Sequence, residues 1–155
     1  SNMKIYAVID TNVIVSALLS RHHDSATVKV LDYLYDRVIV PVYNNEIIEE
    51  YVAVLKRPKF NFSKETISAV IEAIMKGGID SRRIGSNEQF PDPKDIVFYE
   101  VALANEDSFL VTGNIKHFPK KPFVVTPAEM LQIIQEMDSP NHGFLSEPSV
   151  RYGKK

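Results

Sequence analysis

The chain has 155 residues, 45% hydrophobic and 25% charged, which is ordinary for a globular domain and excludes a fibre or a largely disordered chain. It has no cysteine, which removes disulfide frameworks, thiolate zinc sites, iron–sulfur clusters and cysteine nucleophiles together. Its formal net charge of −2, from 18 Lys+Arg against 20 Asp+Glu, excludes nucleic-acid binding by bulk charge alone, which needs a large basic excess.

At this length folding buries roughly two-thirds of the extended chain's surface, so a core is available without staples. The lack of cysteine suits a reducing cytoplasm, the expected location. No apolar run approaches the ~18 residues of a membrane span. Ser1-Asn2-Met3 reads as a tag-cleavage scar ahead of an initiator Met3. The four His, at 22, 23, 117 and 142, show no metal-ligand spacing.

Lys4 to Ile9 is a mostly apolar strand, buried on both faces. Asp10-Thr11-Asn12 ends it, and Val13, Ile14, Ala17 and Leu18 then recur at helical spacing. A second helix is predicted from Ala26 to Asp36, with Val30, Leu31, Leu34 and Tyr35 inward. Val38-Ile39-Val40 is a short buried strand closed by Pro41. Asn44 or Asn45 caps the next helix. Its stripe is Ile47, Ile48, Tyr51, Val52 and Leu55, and Pro58 stops it.

Ser63 starts a helix with Ile67, Val70, Ile71 and Ile74 inside and Gly77-Gly78 at its end. Residues 79 to 91 read as loop, with one short strand near Arg82 to Ile84. Asp92-Pro93 opens a helix that runs to about Asn105. Phe109 to Thr112 is a strand followed by Gly113-Asn114, and Phe123 to Val125 is the last strand. Thr126-Pro127-Ala128-Glu129 is a capping box ahead of Met130, Leu131, Ile133, Ile134 and Met137. From Asp138 onward the composition predicts a loose tail.

Short apolar strands alternating with helices predict an α/β sandwich with a mainly parallel sheet. In such sheets ligands sit beyond the carboxyl ends of the strands. The polar residues there are Asp10-Thr11-Asn12, Thr112-Gly113-Asn114 and Thr126. Asp10 reads equally as a helix cap and as a catalytic acid. In the helix near residues 45 to 57, Glu46 lies nearly opposite the apolar stripe and should face solvent. Glu49 and Glu50 both flank the stripe, and periodicity does not choose between them. Asp92 and Asp95 fit the cap and first turn of their helix, where carboxylates favour the helix dipole.

These acids could also converge at one end of a parallel sheet. Two carboxylates ~4 Å apart repel by about 1 kcal/mol in water and about 4 at an effective dielectric of 20. A divalent cation relieves that repulsion. All-oxygen ligation selects Mg²⁺ or Mn²⁺, which suit phosphate chemistry.

The segment from Ile9 through Ser16 (IDTNVIVS) resembles the opening of PIN domains. Glu49-Glu50-Tyr51 through Leu55 with Arg57-Pro58-Lys59 is similar to the second acidic motif. Asp92-Pro93-Lys94-Asp95 ahead of Val101-Ala102-Leu103-Ala104 is similar to the third. Leu110 through Asn114 with His117-Phe118-Pro119 is similar to the fourth, and Thr126 through Glu129 to the usual start of the last helix. The resemblance is closest to toxin components of prokaryotic toxin–antitoxin systems.

It implies a three-layer α/β/α sandwich over residues 3–137, and the composition of 138–155 predicts a flexible tail after it. It implies an Mg²⁺- or Mn²⁺-dependent ribonuclease that leaves a 5′-phosphate and a 3′-hydroxyl. By the same resemblance Asp10, Glu50 and Asp95 are metal ligands, and Asn114 stands where many relatives have a fourth Asp. Thr11, Asn12 and Thr112 would orient ligands and water, and Asp92 would assist or only cap.

RNA would be met by two basic runs with interleaved aromatics, Lys56 to Phe60 and Lys116-His117-Phe118-Pro119-Lys120-Lys121. Each run also reads as a plain solvated face. His117 reads as a proton donor or as an ordinary loop histidine. The implied partners are an RNA substrate, an antitoxin protein and a second copy of the chain, with no membrane. A PIN-like module that binds RNA or protein without cutting is the alternative, favoured by Asn114. A phosphotransferase with Asp10 as nucleophile ranks last, because its expected acid two residues on is Asn12.

Overall fold

A computed structural model describes residues 3–139. The expected tail therefore lies outside the described residues, apart from Asp138 and Ser139. The chain opens with β1 (Ile5–Ile9), then α1 (Thr11–Leu19), α2 (Ala26–Tyr35) and β2 (Ile39–Tyr43). Next come α3 (Asn45–Leu55), α4 (Lys64–Gly77) and the two-residue strand β3 (Ile79–Asp80). Helix α5 (Ile96–Ala104), β4 (Phe109–Val111), β5 (Val124–Val125) and α6 (Pro127–Met137) complete it. Short 3-10 turns precede α4, lead into α5 and follow β4, at Pro58–Phe60, Pro93–Asp95 and Ile115–His117.

The five strands form one parallel sheet in the order β3-β2-β1-β4-β5. Helices α2 and α4 pack on β2, and α6 packs on α2, while α5 lies against β1, β2 and β4. The result is an α/β/α sandwich. The strand order reverses direction between β1 and β4, and this switch point is where open α/β sheets leave a crevice for ligands.

Helix α5 is buried nearly all round, through Val97, Phe98, Tyr99, Val101 and Ala102. That fits a helix wedged between the sheet and a covering segment. The covering segment is residues 81–91, whose Phe90 ring meets Tyr99 and Phe118 edge-on.

Two boundaries differ from expectation. Strand β2 runs through Pro41 rather than stopping before it. The Ile5 amide donates to the Val38 carbonyl, so by parallel alternation the Pro41 nitrogen faces β3. Pairing with β3 begins only at Val42, so the missing N–H interrupts nothing. The edge strand is Ile79–Asp80, not Arg82 to Ile84, because Gly78 lets the chain leave α4 directly against β2. A Cβ on Gly78 would stand 2.3 Å from the Pro41 carbonyl oxygen and 2.5 Å from that of Ile74. Both obstacles are backbone. Gly78→Ala should therefore destabilise the fold by about 1–3 kcal/mol, read as a lowered denaturation midpoint with an unchanged slope.

Candidate functional site

Beyond the carboxyl ends of β1 and β4 lies an open cleft of about 760 Å³. One wall is α1, which presents Asn12, Val15, Ser16 and Leu19. The other is α3 and its continuation, which present Glu50, Val54, Arg57 and Phe60. Asp10, Asp92, Asp95 and Asn114 close one end. Residues far apart in the chain thus meet where the switch point predicts.

Asp10 occupies the N-cap position of α1 in backbone conformation, yet its side chain makes no capping hydrogen bond. The helix-cap reading therefore does not explain it. Its carboxylate instead accepts from the Thr112 hydroxyl at 2.8 Å and from the Asn12 side-chain amide at 3.1 Å. Asn12 turns its own carbonyl to the Gly113 amide at 3.0 Å, and the Thr112 hydroxyl accepts from the Asn114 amide at 3.0 Å. These bonds tie the end of β1 to the end of β4 and fix the direction of Asp10.

Asp10 is only 5% exposed. Burial pushes its carboxyl from 3.8 up to about 6. The Thr112 hydroxyl works against the shift and the nearby Asp95 charge adds to it. Asp95 is also raised, first by burial and then by Asp92, with Glu50 adding a smaller push. His117 opposes this, with its Nδ1 3.6 Å from an Asp95 oxygen. These acids are close enough to feel one another's charge.

Helix α3 is aimed by two contacts. The Asn44 side chain accepts from the Ile47 amide at 2.9 Å, so Asn44 rather than Asn45 is the cap. The buried Tyr51 hydroxyl donates to the Ile9 carbonyl at the end of β1. Pairing of β1 with β2 ends at Ala7 and Pro41, so the Ile9 carbonyl needs this partner. With Tyr51 locked inward, Glu50 turns to the cleft and Glu49 to solvent. Glu46 is exposed, as expected, and it is paired there. It accepts from Arg83 at 2.8 and 2.9 Å, an ion pair to the segment covering α5 that spacing along one helix cannot reveal.

Asp92 both caps and lines the cleft, accepting from the Lys94 amide at 3.0 Å. Lys116 and Lys120 are exposed and are not among the cleft-lining side chains. Sequence reading left Lys94 out of the candidates, although it sits inside the Asp92-Pro93-Lys94-Asp95 motif and lines the cleft.

Among the described residues, no three His, Asp or Glu side chains form a ready metal cage. Asp10, Glu50 and Asp95 thus share one cleft without forming a closed cage. The donor chemistry itself suits a hard divalent ion, with carboxylates, the Asn114 side-chain carbonyl and no sulfur. Thr11 Oγ1, in the same wall, is buried without a hydrogen-bond partner.

Thr112→Val removes one donor from Asp10 and the acceptor of the Asn114 amide. It should cost about 1–3 kcal/mol of stability. It should also lower any cleft-dependent turnover about 10–100-fold, as loss of a ligand-orienting group does. Thermal melts and rates on the same preparation check both.

Neither the curated proteins nor the solved structures include one that matches this sequence significantly. No helix among the described residues is long and apolar enough to cross a membrane. The family model described as PIN domain matches residues 6–116. PIN domains are generally nucleases that use divalent metals, and the matched span runs from β1 through Asn114 and so contains every acid of the cleft. The chain belongs to the PIN-domain family.

Proposed function

We propose that the chain is a metal-dependent endoribonuclease and the toxin of a toxin–antitoxin pair. The single observation that supports this best is Asp10. It is a carboxylate at the end of β1 that makes no capping bond to its helix and whose pKa is raised first by burial and further by the charge of Asp95. A structural carboxylate would be placed to lower its energy, and this one is held where its charge is costly.

Asp10, Glu50 and Asp95 would hold Mg²⁺ or Mn²⁺. Such an ion supplies a more acidic bound water and charge stabilisation at phosphorus. Thr112 and Asn12 hold Asp10 in one orientation. Asn114 offers a neutral oxygen, and Arg57 and Lys94 offer cations to a phosphodiester. His117, whose Nδ1 lies 3.6 Å from an Asp95 oxygen, would give a proton to the departing oxygen. Water adds to phosphorus as the P–O3′ bond breaks, leaving a 5′-phosphate and a 3′-hydroxyl. An antitoxin would present cations to the same acidic end of the cleft.

The test is cleavage of single-stranded RNA with Mg²⁺ or Mn²⁺ by the parent protein and by Asp10→Asn and Asp95→Asn. Loss in both variants is expected, and unchanged cleavage by both overturns the mechanism. A second reading, binding without cutting, is favoured by Asn114 and by the lack of a ready metal cage among the described residues. Calorimetric titration separates the two: no heat at millimolar Mn²⁺ favours the second.

A further inference from the structure

The α3 wall continues past the acids. Glu50 and Val54 are spaced i, i+4 on one face of α3, Arg57 follows just beyond its last turn, and all three line the cleft. The 3-10 turn Pro58–Phe60 then brings Phe60 into the same cleft. Its ring stacks on Phe62 with centroids 5.6 Å apart and planes 17° from parallel. Lys59 Nζ lies 5.1 Å from the centre of the Phe60 ring. Both phenylalanines are only half-buried.

Phe62 packs against the core, whereas Phe60 does not and faces the cleft with Arg57 and Lys59 exposed beside it. We infer that Phe60, backed by Phe62, is a stacking platform for an unpaired base of a single-stranded nucleic acid, with Arg57 and Lys59 on the flanking phosphates. The proposal rests on the nuclease reading of the cleft and names the strand form that the cleft accepts.

Magnitudes favour it. Base–aromatic stacking is stronger than an exposed cation–π contact such as that of Lys59 over Phe60. A base therefore displaces Lys59 from the ring and frees its ammonium for phosphate. A paired base keeps both faces inside its own duplex and cannot use the ring. Because every base has a π-face, the platform selects single strands without selecting sequence. The acids of the same cleft repel phosphate, so the platform and Arg57 supply the attraction that they oppose.

The experiment is fluorescence anisotropy of a short labelled single-stranded RNA and of its duplex, with Ca²⁺ present and folding of each variant checked by thermal melt. Phe60→Leu, which keeps apolar bulk but no ring, should weaken single-strand binding about tenfold. Phe60→Trp should hold or tighten it. Arg57→Gln should reduce the salt slope by about 1. The duplex should bind more weakly and ignore Phe60. Parental affinity in Phe60→Leu, equal duplex affinity, or no binding by the parent overturns the platform. Cleavage assays keep the two readings apart. If Asp10→Asn stops cleavage while Phe60→Leu binds normally, the platform alone fails. If Phe60→Leu weakens binding while Asp10→Asn still cuts, the nuclease assignment of Asp10 fails.

Discussion

Asp10→Asn is expected to make the metal-free protein more stable at neutral pH while removing cleavage. Burial raises the folded-state pKa of Asp10 to about 6 from 3.8. The folded chain therefore binds a proton that the unfolded chain releases between those values. Its contribution to stability is fully present below 3.8 and is lost as pH rises through about 6. Above that, the ionised group costs on the order of 3 kcal/mol. Asparagine keeps the shape of the protonated acid and can still accept from Thr112 and Asn12, but it carries no charge. Asp95, raised for the same reasons, adds a term of the same sign.

The denaturation free energy of the parent, without divalent ions, should thus fall between about pH 4 and 6.5 relative to the variant. The variant should be about 2–3 kcal/mol more stable at pH 7. Cleavage should drop by at least about 100-fold, more than the loss of a merely orienting partner. Mn²⁺ should stabilise the parent more than the variant, because an ion bound only to the folded state adds RT ln(1 + [L]/Kd). A variant less stable than the parent across this whole range would mean that Asp10 is a structural anchor.

The second large effect is expected at Arg83. Its guanidinium spans Glu46 and Glu100, with 2.8 Å from Nε to a Glu100 oxygen. The Glu100 side chain is 9% exposed and that of Arg83 34%. The other Glu100 oxygen accepts from the Ser86 amide at 2.7 Å. Arg83→Ala leaves a buried carboxylate with a single amide partner. Breaking a buried pair from one side costs about 3–5 kcal/mol, and partial solvent access at Arg83 argues for ~2–3. For a chain of this size that is a melting point lower by roughly 5–10 °C. Glu100→Gln in the Arg83→Ala background should recover much of the loss, because it removes the stranded charge. The same contact pins the covering segment that leads to Asp92 and Asp95, so Arg83→Ala should also slow cleavage. Equal stability of the single and double variants would show that the charge of Glu100 is not what Arg83 offsets.

The two predictions fall on opposite sides of what the residue string could reveal. Asp10 was legible because it directly follows an apolar strand, and local order places that position at the sheet's carboxyl edge. The strand-and-helix alternation, the Thr126 capping box, the Gly77-Gly78 stop and the stripe of α3 were legible for the same reason, since each depends on neighbours within a few residues. The box is present as written, with the Thr126 amide donating to Glu129 at 2.8 Å. Arg83 was not legible. Its partners are 37 and 17 residues away in the chain, and nothing in residues 79 to 91 marks it.

What the sequence alone determined is therefore the periodicity, the caps and the acids available at strand and helix ends. Those are short-range properties of backbone and side chain. Which acid of α3 faces the cleft, that Asp10 makes no capping bond and is tied to β4, that Glu46 pairs with Arg83, and that Phe60 joins the carboxylates' cleft were decided only by the tertiary structure. Each is set by the angle at which one element crosses another. The Tyr51 hydroxyl on the Ile9 carbonyl and the Asn12 bridge to Gly113 fix those angles, and such contacts exist only once β1, α3 and β4 have come together.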